Sequence, residues 1–122
     1  MSFIKSTNVI TDTAITVSNL TGGTNGKVVR VSGSNTVTDA ANTDTSAQLN
    51  SVLIKSGGIY YASGVVPGFS GLSAGSPYFL ASDGTPTASP PTPSASVRVV
   101  ALGFALNSSD LVFRPNAPIS GT

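Results

Sequence analysis

The sequence predicts an all-β chain: a compact antiparallel β-sandwich or small barrel with short turns, little or no helix, and extended terminal arms. Three observations carry this. Apolar and β-branched residues come in short runs cut by 13 Gly and 8 Pro, which is the pattern of many strands joined by tight turns. Helical periodicity is nearly absent. Two-residue turn signals, Asn25-Gly26 and Asp83-Gly84 among them, recur between the runs, and such pairs tolerate the positive φ that hairpin turns require. At 122 residues one domain is the economical solution, able to bury roughly two-thirds of the surface its unfolded chain exposes. We divide it into an arm or first strand over residues 1–12, a β domain over 13–114 and an extended tail over 115–122.

Taken in order, Ala14 to Ser18 alternates Ile15 and Val17 with Thr16 and Ser18, a half-buried strand. Gly22, Gly23 and Asn25-Gly26 predict a hairpin into Lys27–Ser32, where adjacent Val28 and Val29 break strict alternation and imply cover on both faces. Gly33 to Asn35 turns into Thr36–Thr38. Asp39 to Gln48 is small and polar, a loop with one helical turn at most. Ser51–Lys55 is a strand, Gly57-Gly58 a turn, and Ile59–Val66 a strand whose neighbours Tyr60 and Tyr61 point to opposite faces, one inward and one outward. Leu72 is placed to plug the loop before Tyr78-Phe79-Leu80. Pro86, Pro90, Pro91 and Pro93 remove backbone donors, so Thr85 to Ala95 is an exposed extended loop. Val97 to Leu106 is the longest apolar stretch and the expected central strand, with Gly103 marking a bulge or close backbone approach. Asn107 to Asp110 then turns the chain into Leu111-Val112-Phe113.

Composition excludes more than it selects. Charged residues are 9% of the chain, against about 25% in ordinary domains, and Ser, Thr, Asn and Gly supply the missing polarity. Six Lys or Arg are scattered singly against five Asp, for a net charge of +1; neither nucleic acid nor an anionic membrane is an expected partner. There is no Cys and no His, which removes disulfides, thiolate metal sites, the commonest zinc ligand and the commonest general base. Asp39, Asp44, Asp83 and Asp110 sit in turn contexts where Asp bonds its own backbone, not in a pattern that converges on a metal. Ser70, Ser73 and Ser76 lack an activating base. There is no Glu at all, so the paired carboxylates of a glycan hydrolase are not to be found. Gly22, Gly23 and Gly26 lack the Gly-Lys-Ser/Thr of a phosphate loop. The expectation is a protein without catalysis, cofactor or small-molecule substrate. No apolar run has signal-peptide or membrane-span length, which leads us to expect an intracellular product.

The order Gly-Phe-Ser-Gly-Leu-Ser-Ala-Gly-Ser-Pro-Tyr-Phe-Leu at Gly68 to Leu80, Asp83-Gly84, the prolines from Pro90 to Pro93, Val-Ala-Leu-Gly-Phe-Ala-Leu at Val100 to Leu106 and Leu-Val-Phe-Arg-Pro at Leu111 to Pro115 resembles a β-rich module of tailed-phage structural proteins. That module occurs in small capsid cement or decoration proteins and in parts of tail and fibre proteins. The resemblance covers the C-terminal 50 or so residues well and Gly26 to Val66 loosely. It implies a compact antiparallel β domain, often a homotrimer, with no cofactor and no catalytic residues to carry across. The chain lacks fibre-like repeats and coiled-coil heptads, which favours a capsid decoration protein binding the outer surface of the assembled shell.

On that expectation the partner is the major capsid protein, and the protein is made in the host cytoplasm and located on the virion. The alternative is a tail or fibre domain recognising a host-surface glycan or protein. The discriminator is the aromatic set: exposed Tyr60 or Tyr61 on a concave face would favour ligand binding, and burial would favour a scaffold. Attachment is expected from the termini. Residues 114–122, extended, reach roughly 25 to 30 Å at about 3.3 Å per residue, and the candidate interface residues are Phe3, Ile4, Arg114, Pro115, Pro118 and Ile119.

Overall fold

Turn chemistry sets the strand pairing. The computed structural model describes residues 14–121; Phe3, Ile4 and the arm assigned to residues 1–12 lie outside the described residues. Twelve strands follow in order: β1 (Ile15–Val17), β2 (Thr21–Gly22), β3 (Lys27–Gly33), β4 (Thr36–Asp39), β5 (Val52–Ser56), β6 (Ile59–Val66), β7 (Pro77–Leu80), β8 (Pro86–Thr87), β9 (Arg98–Val99), β10 (Ala101–Ala105), β11 (Leu111–Phe113) and β12 (Ile119–Ser120). The one helical element among the described residues is a single 3-10 turn, Gln48–Asn50, whose Leu49 is buried. The turns at Asn35, Gly57-Gly58 and Asp83-Gly84 close the hairpins β3–β4, β5–β6 and β7–β8, and Asn35, Gly57, Gly58 and Gly84 all have positive φ.

The large sheet runs β2-β4-β3-β5-β6-β11-β10-β7-β8, with β1 added on β6, and β9 and β12 form a separate two-stranded ribbon. Its two ends do not pair with each other, so of the two architectures predicted it is sandwich-like and not a closed barrel. Every described pairing is antiparallel except β2 with β4.

Strand β6 belongs to both halves. Ile59 to Tyr61 pair with β5, Tyr60 to Ser63 with β1, and Gly64 to Val66 with β11. The halves close on a main core in which Val28, Ile54 and Tyr61 from one meet Val66, Tyr78, Leu80, Leu102, Leu111 and Phe113 from the other. Each such large apolar side chain contributes about 1.5–3 kcal/mol on burial. Leu72 and Phe69 pack against this core from the connecting loop, as the plug expected of Leu72.

Tyr60 and Tyr61 do point to opposite faces, but both are buried, at 7% and 8% exposure. The reason is a second, smaller core of Val29, Val37 and Tyr60, with Leu20 and Leu53 packed on it. A strap formed by residues 19–24 lies over it. The Tyr60 hydroxyl donates to the Gly22 carbonyl at 2.7 Å, Lys55 Nζ donates to the carbonyls of Gly22 and Gly23, and Thr24 donates from N and Oγ1 to the Asp39 carboxylate. The strap also overturns the expected hairpin at Asn25-Gly26. A turn is there, with Lys27 N donating to Thr24 O, but β2 crosses over to pair in parallel with β4.

Three other expectations are corrected. Thr85 to Ala95 is not all exposed loop, since half-buried Pro86–Thr87 form β8 and pair with Leu80 and Phe79; the strand lies at the end of the sheet, where a proline costs no ladder donor. The β1 side chains are all exposed rather than alternating, Ile15 at 60%, because β1 lies at the margin of the sheet on β6. Val97 to Leu106 is two strands instead of one. Val100 is fully buried and its carbonyl accepts from Leu80 N, so the chain bends inward there, β9 leaves to pair with β12, and β10 stays between β7 and β11.

Gly103 is the close approach its position suggested. The β10–β7 register shifts beside it, φ is +137°, and a Cβ would sit 1.8 Å from the Val112 carbonyl oxygen. Gly103→Ala is therefore expected to destabilise by about 2–4 kcal/mol, whereas Gly57→Ala, at φ +58° with open space around it, costs only about 1 kcal/mol. Urea denaturation midpoints compare the two; equal losses would mean that the β10–β11 approach is not close.

Candidate attachment surface

The C-terminal segment leaves β11 at Arg114 and does not project from the body. Arg114 N donates to Leu102 O at 2.7 Å and Asn116 N to Ala101 O at 3.1 Å. Ile119 and Ser120 pair with Val99 and Arg98, Gly121 N donates to Ser94 O, and the Ser46 and Ser120 hydroxyls share a hydrogen bond of 3.1 Å. Pro115 is half-buried beside Leu49 and Val52 at a shallow cleft of about 230 Å³. Prolines at 115 and 118 remove two donors, and amides at Arg114, Asn116 and Gly121 dock the segment. The tail is extended in backbone but laid along its own domain, so the 25 to 30 Å reach expected from the sequence is not available to a neighbouring subunit in this arrangement.

Of the sequence-predicted interface residues within the described range, the structure gathers Arg114, Pro115, Pro118 and Ile119 onto this one segment. Arg114 is exposed, with its guanidinium 5.5 Å from the Phe104 ring centroid, a cation–π distance. Pro118 is half-buried. Ile119 is 62% exposed, an apolar side chain held out by a paired backbone. Sequence reading missed Arg98, Ser46 and Ser94. Their partners lie 22 to 74 positions away along the chain, and no local pattern signals such pairing.

The remaining candidate chemistry is absorbed by structure. Asp44 pairs with Arg30 Nε at 3.0 Å and accepts from Ala41 N. Asp110 accepts from Asn107 Nδ2, Asp83 from Thr85 N and Oγ1. Asp39 departs from the turn role, since it clamps Thr24 from 15 positions away. No group of three or more metal-ligating residues occurs among the described residues. Tyr78 is used locally, its hydroxyl accepting from Ser73 N at 2.8 Å. Tyr60, Tyr61, Tyr78 and Phe113 are buried, and Phe69, Phe79 and Phe104 half-buried, which leaves no flat aromatic platform among the described residues. Two clefts, of about 410 Å³ beside Val17, Leu20 and Tyr60 and about 510 Å³ beside Asn25, Tyr61 and Pro67, hold no carboxylate or basic side chain. No helix among the described residues is long and apolar enough to cross a membrane. No family model, curated protein or solved structure matches the chain, so the likeness to phage modules rests on the residues from Gly68 to Pro115 themselves.

The hydroxyl of Thr85, and then its backbone N–H, hold the Asp83 carboxyl below the ordinary value of 3.8 by hydrogen-bonding the charged form. A depressed carboxylate pKa favours the fold above the unfolded value, and that contribution is lost as pH falls through the folded one. Thr85→Val is expected to raise the Asp83 pKa toward 3.8, followed by NMR titration of its side-chain carboxyl carbon; an unmoved titration would show that the hydroxyl is not the cause.

Proposed function

We propose that this chain is a capsid decoration, or cement, protein of a tailed phage, binding the outer surface of the assembled shell as a homotrimer and bridging major capsid protein subunits. The observation that carries the reading is an apolar side chain presented on a fixed backbone. An exposed Ile119 is held on a backbone-paired ribbon, among neutral hydroxyl and amide groups, on a domain whose described carboxylates serve internal hydrogen bonds and whose described aromatic rings are at least half-buried. The resemblance over Gly68 to Pro115 supplies the phage context. Aromatic burial weighs against the alternative, a glycan-binding tail or fibre domain, which needs rings presented on a concave face.

The mechanism is mass action. A protein that binds only the assembled lattice stabilises it by its own binding free energy, about 8 kcal/mol per site at micromolar affinity. Closed symmetry would place trimers at local threefold positions on the shell. A rigid ribbon lowers the entropy lost on docking, compared with a free arm.

Purified protein is expected to co-sediment saturably with empty expanded shells and to run as a trimer in sedimentation equilibrium. Ile119→Asp is expected to leave thermal unfolding nearly unchanged and to weaken attachment roughly ten- to a hundredfold, the equivalent of losing one buried aliphatic side chain. Absence of saturable binding by the unmodified protein would overturn the reading, and unchanged affinity of the variant would move the contact away from the ribbon.

A further inference from the structure

Of the five basic residues of the described chain, Arg30, Lys55 and Arg114 have side-chain partners, and Lys27 and Arg98 form no salt bridge among the described residues. Lys27 lies near the Asp83 carboxylate, Arg30 pairs with Asp44, Lys55 donates to two carbonyls and lies over Tyr60, and Arg114 lies over Phe104. Arg98 has no ion-pair partner among the described residues, and its Nε is buried with no hydrogen-bond acceptor. A buried guanidinium N–H without an acceptor is costly, and native structures rarely keep one without a reason. The neighbouring position of the ribbon carries a hydroxyl. Ser120 stands opposite Arg98 in the ribbon, on the same face, and its hydroxyl meets that of Ser46. The backbone carbonyl of Asn42 fixes the strand by accepting from Arg98 N at 2.8 Å. Thus the backbone of Arg98 is pinned while its side-chain Nε–H makes no polar contact.

We propose that Arg98 is a carboxylate-binding site, flanked by the Ser46 and Ser120 hydroxyls, that receives an acidic side chain of the protein to which this chain attaches. The partner's chemistry follows from the donor set. A guanidinium presents a planar fork that a carboxylate matches with two parallel hydrogen bonds, and the serine hydroxyls can donate to the lone pairs that remain on the same two oxygens. Little polar bonding has to be broken for the side chain to turn toward an incoming carboxylate. The identification of that partner as the shell protein rests on the proposed function; the site itself does not.

The test uses two readouts. Titration of the full chain with hexaglutamate, followed by the Arg98 Nε–Hε resonance, is expected to move that resonance saturably, while hexaglutamine leaves it in place. In shell co-sedimentation, Arg98→Gln is expected to weaken attachment about tenfold, the loss of one charge-assisted pair, with Arg98→Lys intermediate and the wild-type advantage shrinking as salt rises. Amide spectra of both variants verify the fold. An Arg98 resonance indifferent to hexaglutamate overturns the site, whatever the shells show. If the peptide moves the resonance but the unmodified protein binds no shell, the site stands and the capsid reading falls. If the unmodified protein binds shells and Arg98→Gln binds equally well, the assignment of the site to attachment is overturned.

Discussion

The fold depends on strand β6 being sheltered on both faces while pairing along both halves of the sheet. It is the one strand that joins β1 and β5 on one side of the molecule to β11 on the other, so the register of each half is set by the same eight residues. The inner face gains Tyr61 and Val66 for the main core. The outer face gains Tyr60 for the second core, which exists only because the 19–24 strap covers it. Without the strap, Tyr60, Val29 and Val37 would form an exposed apolar patch on a sheet, a known route to association. Sequence separation is what makes the strap effective: its bonds to Lys55, Tyr60 and Asp39 tie residues 19–24 to three different strands.

Closing two halves on one strand requires a change of phase. Strict alternation from an inward Tyr61 would make Val65 inward, yet Val66 is the fully buried residue and Val65 only half-buried. The alternation shifts by one between them. Two features mark the place: the pairing with β1 passes from Tyr61 to Ser63 without using Ala62, and Gly64 adopts φ +99°. A bulge bends a strand and re-aims its side chains, and positive φ is open to glycine at little steric cost. Gly103 performs the matching adjustment two strands away, where β10 approaches Val112 too closely for any side chain. The sandwich therefore turns at glycines on neighbouring parts of the sheet, and apolar residues on either side of each are free to face the core.

Much of this was legible in the sequence, and what was not has a common cause. The longer strands, the hairpin turns at Gly57-Gly58 and Asp83-Gly84, the double cover of Val28 and Val29, the plug at Leu72 and the role of Gly103 all follow from local pattern, since turn chemistry and alternation act over a few residues, whereas the two-residue strands β2, β8 and β12 do not. The misread elements are those decided at long range. Asn25-Gly26 looks like a hairpin because the pair is good at turning a chain; that β2 then pairs with β4 is decided by Asp39, Lys55 and Tyr60. Val97 to Leu106 looks like one strand because nothing local reveals that Val100 is drawn inward to Leu80. The tail looks free because its acceptors, at Ser94, Ala101 and Ser46, are remote. Of the candidate site, Arg114, Pro115, Pro118 and Ile119 were visible by type, and Arg98 was not, because an arginine inside an apolar run reads as a strand residue with a solvated head.

The docking of the tail changes what kind of attachment the chain can make. A free arm of eight residues would lose roughly 1–2 kcal/mol of backbone conformational entropy for every residue ordered on binding, a cost that consumes much of what an apolar anchor contributes. Here residues 114–121 are ordered against β9, β10 and the loop at Ser46, so under the proposed function Ile119 and Arg98 would meet the partner as parts of a surface already formed. Preorganisation of this kind stabilises the bound state without adding contacts, and it couples attachment to folding. Truncating residues 115–122 removes β12 from its ribbon with β9 as well as removing the anchor, so a loss of binding on truncation does not separate the two roles. Single side-chain changes at Ile119 and Arg98 do separate them, because the hydrogen bonds that hold the segment in place are made by backbone groups and by the Ser46 and Ser120 hydroxyls.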